Sequence, residues 1–404
     1  MKRWGAAWLL AGTPALAQAH ALPVGLELAW PASGAPVVLT NRGVVIDAQL
    51  RCNESYGVNT SAYPRLWLGE TMVIATQNSV LRSPDRGCTL VHATGLPDRS
   101  LSGFSAGRGV LLVTTLTAEL GGGVYASADQ GASFTRWADN EPYEAFRELM
   151  FAPGDAMRVY ASGFRVEPAS GRVSYVWAVS RDGGRTFSRS SIADERLVLA
   201  VSARDADVVW AWDSQTGSVF ASRDAGKTFA ERLRFQGKPS LTLSGSFVWA
   251  GSEADEGLRV SRDDGETFTT ILPELTAVTC LSTHEGTLHV CGVRYPLQLG
   301  IWSLVEGADT GLREELMFED VAQQVACAEP TTCEQPWQDW SLELLSNVDA
   351  GVPDASVADT RVVDAGVDAG VVDARSSGCS TRAGSGGWLL WLLACLGVSV
   401  ARRR

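Results

Sequence analysis

Five aspartates recur inside one eight-residue phrase. Asp182, Asp224 and Asp263 stand in Ser180–Phe187, Ser222–Phe229 and Ser261–Phe268, and weaker copies surround Asp129 and Asp85. The shared mask is Ser-x-Asp-x-Gly-x-Thr/Ser-aromatic, with Gly87, Gly131, Gly184, Gly226 and Gly265 at its fifth position. Carboxylates at a regular interval could bind calcium or work as an acid–base pair, and either task requires them to converge within a few ångströms. The phrase itself argues for a structural role. A glycine there takes φ > 0 without steric cost, an aspartate accepts bonds from the N–H groups of its own turn, and the aromatic residue can pack beneath. One mechanism thus accounts for every fixed position, and aspartates placed on separate units would not meet.

The elements that carry these residues follow from the intervals. The leading serines stand at 83, 127, 180, 222 and 261, which are 44, 53, 42 and 39 residues apart. Such a period means one supersecondary unit per repeat. Around Asp224 the runs 197–201, 208–212, 218–221 and 229–233 are four short strands rich in Val, Trp and Leu, and the phrase joins the third to the fourth. Four antiparallel strands per repeat describe a blade of an all-β propeller, and about 300 residues at roughly 44 each predict about seven blades, with six or eight also compatible. The first blade (26–30, 36–40 and 43–46) is divergent and could borrow a strand from elsewhere. The others are expected at 62–98, 101–138, 146–193, 195–235, 238–272 and 276–322. The long interval of 53 points to an inserted hairpin around Phe164–Val176.

These phrases resemble the Asp-box, or bacterial neuraminidase, repeat found in sialidases, sortilin-type receptors, some glucanases and a photosystem assembly factor. The resemblance implies the propeller fold; those families share the turn and not the chemistry. Sialidase-like hydrolases also carry an aromatic-Arg-Ile-Pro motif before the first box. The nearest stretch is Phe164-Arg165-Val166-Glu167-Pro168, which has an inserted Glu and lies between the second and third boxes. No Gly-x-Ser-x-Gly, HExxH or phosphate loop is present, and no cofactor is expected. The expectation is a non-catalytic module that binds protein, peptide or glycan, with a sialidase-like glycoside hydrolase as the alternative. Trp67, Trp177, Trp210, Trp212 and Trp249 could line a binding surface, but their strand positions favour the packing between blades.

Charge and cysteine usage place the chain. It has 404 residues, 45% hydrophobic, and a formal charge of −12. Six cations and no acid lie in 1–19 and 380–404, so the remainder stands at −18, which argues against a nucleic-acid partner. Residues 1–19 read as a secretory signal: Lys2-Arg3, an apolar Trp4–Gly12, and small residues at Ala17 and Ala19. Cysteines beyond it are then read by oxidising rules. Cys280 and Cys291 would face each other across a hairpin turning at Thr283–Gly286. Cys327 and Cys333, in a 326–345 extension to the 22–325 propeller, bracket a short closable loop, which leaves Cys52 with Cys88 by elimination. His284 and His289 straddle the same hairpin turn and read as solvated strand residues, not ligands.

Composition changes after residue 345. The segment 346–378 repeats Val-Asp-Ala-Gly, holds six Asp and reads as a disordered linker. In 379–404, Cys379 is followed by a small-residue spacer, fourteen apolar residues forming a short helix of about 21 Å, and Arg402-Arg403-Arg404. This tail resembles the myxobacterial C-terminal sorting signal. The resemblance implies cleavage by a membrane sorting protease near Cys379, attachment through that cysteine, and display at the cell surface.

Overall fold

The computed structural model describes residues 25–323 apart from 32–35, 42, 53–64, 77–78, 98–99, 117–121 and 296–297. The signal, extension, linker and tail, with Cys327, Cys333, Cys379, Arg402, Arg403 and Arg404, lie outside the described residues, as does the side chain of Cys52. Among the described residues no helix is long and apolar enough to cross a membrane.

Seven sheets, antiparallel but for one added strand, form a β-propeller. Blade 1 spans 25–52, and blades 2 to 7 span 65–92, 100–139, 144–192, 197–234, 239–271 and 275–317. Strands within each blade neighbour one another in sequence order. From blade 2 round to blade 1, first strands of successive blades touch each other and form the inner ring. Blade 1 contains a fourth strand of its own, Gln49–Cys52, beyond the three runs read from sequence. Its borrowed strand is a fifth: Ala322–Gln323 adds in parallel to Gln49–Cys52, with Ala322 opposite Gln49. The chain's far end thereby ties back to its first blade.

Seven apolar clusters hold the wheel, and each spans two adjacent blades. Leu112 and Val124 of blade 3 pack with Phe146 and Val159 of blade 4; Tyr160 and Trp177 of blade 4 pack with Val198 and Val209 of blade 5. The seam between blades 7 and 1 joins Ile301 and Cys291 to Leu28 and Val38. A strand sandwiched between two blades is covered on both sides. That is why Thr71–Ala75 is buried at every position and why such strands read as unbroken apolar runs instead of alternating ones. Fourth strands such as Ala230–Arg234 lie on the rim and are mostly exposed. Trp177, Trp210 and Trp249 are fully buried between blades, whereas Trp67 and Trp212 are half-buried.

The recurring turn contributes to several of these interfaces. Gly226 of blade 5 and Gly265 of blade 6 have φ of +83° and +85° and sit against Trp177 and Trp210 of the preceding blade. Phe229 and Phe268 meet the same two indoles edge-on, with centroids 5.0 and 6.2 Å apart. Ion pairs clasp the turns to one another from outside: Arg223 reaches Glu266 of the next blade at 2.8 Å, Arg262 pairs with Asp309, and Arg86 meets Asp47 at 3.1 Å.

Candidate functional site

Each aspartate of the repeat is consumed by its own turn. In blade 4 Ser180 Oγ donates to Asp182 Oδ1 at 2.7 Å, the Thr186 N–H donates to the same oxygen at 2.8 Å, and Thr186 Oγ1 donates to Oδ2 at 2.6 Å. The Gly184 N–H completes the loop by donating to Ser180 Oγ at 2.8 Å. The same set recurs around Asp85, Asp129, Asp224 and Asp263. Among the described residues no group of acidic, His or Cys side chains could hold a metal ion.

This bonding shifts the acids. Partial desolvation raises the Asp129 and Asp182 carboxyls, but hydrogen bonds led by the Ser133 and Thr186 hydroxyls outweigh it and hold both at about 2, against 3.8. Asp224 is lowered to about 2, chiefly by the Thr228 N–H. The Thr267 hydroxyl leads the lowering of Asp263. A carboxyl depressed on folding stabilises the native state fully above its unfolded value and loses that contribution as pH falls through the folded one. Stability measured by urea unfolding is therefore expected to hold steady from pH 7 to about 5 and to drop between about 4 and 2. An Asp182→Asn variant should be weaker at pH 7 with a flatter acid limb; an identical acid limb in wild type and variant would refute this assignment.

Strand order sorts the loops onto two faces. In an up-and-down sheet the first–second and third–fourth turns share one end, so every Asp turn lies on one face of the wheel. Second–third hairpins and connectors between blades lie on the opposite face. That opposite face carries an open groove of about 630 Å³. One wall is the connector Glu141-Pro142-Tyr143. The other is the tip of the hairpin joining Asp155–Val166 to Val173–Ser180, contributing Arg165, Glu167, Pro168, Arg172 and Ser174. This hairpin is the insertion expected from the interval of 53, and its register runs to Val166 opposite Val173. Arg165 Nη2 lies 3.5 Å from Glu141 Oε2, and the Val166 N–H donates to the Tyr143 carbonyl at 3.0 Å. The groove was not legible as a site in the sequence; its traces there were the uneven interval and the motif-like stretch Phe164–Pro168, four residues of which line it.

Several arginines of blades 4 and 5 are matched to carboxylates of the chain. Arg147 donates to Glu195 Oε1 at 2.6 Å, and the Ser214 hydroxyl occupies the other Glu195 oxygen. Arg196 lies 3.6 Å from Asp213 and covers the Phe220 ring, while Arg189 bonds Glu144 at 2.8 Å. Glu144, Glu195 and Asp213 are all buried. Glu148, on the innermost strand Glu144–Ala152, is exposed to water. Desolvation pushes its carboxyl up, against the opposing pull of Lys238 and Arg147.

Cys280 and Cys291 are opposite in register and form a disulfide with Cα atoms 4.9 Å apart. Cys88 is also disulfide-bonded, to a partner outside the described side chains. The histidines differ from the sequence reading. His289 is buried, with Nδ1 2.7 Å from Glu315 Oε2, and His284 stacks on Trp30 at 4.2 Å. The reason is tertiary: Trp30 arrives from blade 1 and covers a strand that would otherwise face solvent.

No protein-family model matches the chain, and no curated protein does either. Several solved structures are similar to it. A GH74 xyloglucanase from Xanthomonas campestris is 14% identical, with a TM-score of 0.49 over 72% of this chain, which spans 53% of that protein. The designed protein Ika8 is 12% identical, with a TM-score of 0.48 over 72% of this chain and 87% of its own. YCF48, in a complex with D1 peptide, is 11% identical, with a TM-score of 0.42 over 62% of this chain and 80% of its own.

Proposed function

We propose that the protein is an exported, surface-held propeller of the Asp-box kind that binds a protein, peptide or glycan without cleaving it, through the face opposite the Asp turns. The observation that carries this reading is the state of the arginines. A sialidase-like site needs clustered guanidiniums free to take a substrate carboxylate, whereas Arg147, Arg189 and Arg196 already hold Glu195, Glu144 and Asp213. Freeing them would leave buried carboxylates unpaired, which is strongly unfavourable. Under this reading Cys379 and Arg402–Arg404 direct processing by a membrane sorting protease and display at the cell surface.

Glu148 supports the hydrolase as a second reading, since a raised carboxyl is what a general acid requires. The deciding experiment incubates the folded protein with sialosides and neutral polysaccharides, following both retention and product release. Retention without turnover is expected. Turnover lost in Glu148→Gln would replace the binding reading with the hydrolase. Peptide mass analysis of the surface form checks the processing: an intact C-terminus retaining Arg404 would exclude it.

A further inference from the structure

The groove beside the blade-4 hairpin has the chemistry of a sugar-binding cleft, and we infer that it binds a neutral oligosaccharide, stacked on Tyr143. This inference rests on the binding reading above and deepens it. Tyr143 is 38% exposed at the groove wall. Its backbone adopts φ +62°, a left-handed conformation that a bulky side chain takes only at a steric cost. Glycine at this position would adopt the same turn freely. A strained residue held in place is a pointer to function when the side chain serves one. The tie that holds it is the Val166 N–H on the Tyr143 carbonyl.

The surroundings select the ligand. Pro142, Val166 and Pro168 give apolar wall, and Arg165, Arg172, Glu141 and Glu167 give planar donors and acceptors. Aromatic rings stack on the C–H face of a pyranose while such side chains bond its hydroxyls. The two acids cancel the two cations, so the groove has no net charge to draw an acidic glycan. A peptide strand has little to pair with. Asp155–Val166 is paired on both edges, and the free outer edge of the hairpin strand before Tyr175 is only Val173 and Ser174. That is too short for strand addition. The hairpin tip is also braced internally, with the Glu167 N–H donating to the Arg172 carbonyl at 2.8 Å and Ser170 Oγ to Glu167 Oε2 at 2.9 Å. A braced rim keeps the ordering cost of binding low.

The test presents cello-, xylo-, manno- and laminari-hexaoses beside sialylated glycans, uronate glycans and a peptide set. Binding of at least one neutral hexaose is expected, little changed between low and high salt. Tyr143→Gly should weaken it about tenfold or more, the worth of a lost ring contact, while the melting temperature stays level or rises because the backbone strain is gone. Tyr143→Phe should retain binding. Absence of neutral-glycan binding, or neutral-glycan binding untouched by Tyr143→Gly, overturns the inference. Acidic glycans or peptides lost in Tyr143→Gly also overturn it but leave the protein a binder. Turnover of a glycan removes the binding reading itself.

Discussion

Replacing Gly226 with alanine is expected to cost about 3 kcal/mol of stability, as the sum of a backbone and a packing penalty. A Cβ there would lie 1.9 Å from Trp177 Nε1 and 2.4 Å from Cε2. Trp177 cannot retreat: it is 1% exposed in the seam between blades 4 and 5, and its Nε1 donates to the Ala225 carbonyl at 3.2 Å. Displacing the indole therefore breaks a buried hydrogen bond as well. The left-handed φ of +83° adds a cost that any L residue bears. Gly69→Ala provides the control, since Gly69 shares the positive φ, at +66°, with nothing within 4 Å of its Cβ position. It should lose only about 1 kcal/mol. Urea midpoints and slopes measure both variants. Equal losses would show that the indole contact adds nothing and that the repeat's glycine is kept for its backbone alone.

Removing the Cys280–Cys291 disulfide is the second large effect, about 3 kcal/mol for a loop of this length. The bond joins the first and second strands of blade 7 across a sequence separation of 11. It also sits in the closing seam: a Cβ on Gly25, in the first strand of blade 1, would be 2.9 Å from Cys291 Cβ and Sγ. Loss of the bond should loosen the place where the two ends of the wheel meet. A Cys280→Ala/Cys291→Ala double variant is expected to unfold at lower urea, and its amide exchange should rise first in Gly25–Ala29 and Leu275–His284. Unchanged protection of Gly25–Ala29 with a global loss would move the effect from the seam to the unfolded chain.

The propeller could be read from the sequence because its determinants are local. Ser-x-Asp-x-Gly-x-Thr builds one turn from atoms within seven residues, so a one-dimensional pattern contains nearly the whole hydrogen-bond set seen around Asp182 or Asp263. The facing of Cys280 and Cys291 is local for the same reason, since a hairpin sets its own register. Repetition then implied stacking, because a single blade covers neither side of its own strands.

What sequence alone determined, then, was the blade, its turn and the count of about seven. Tertiary structure decided everything that joins residues of different blades or loops. Pairing of Arg223 with Glu266, burial of His289 beneath Trp30, return of Ala322–Gln323 to the edge of blade 1, and convergence of Tyr143 with Arg165 and Arg172 all depend on it. The physical reason is range. A turn is stabilised by its own neighbours along the chain, whereas a groove between a connector and a hairpin exists only after the wheel has closed and set the two at a fixed distance.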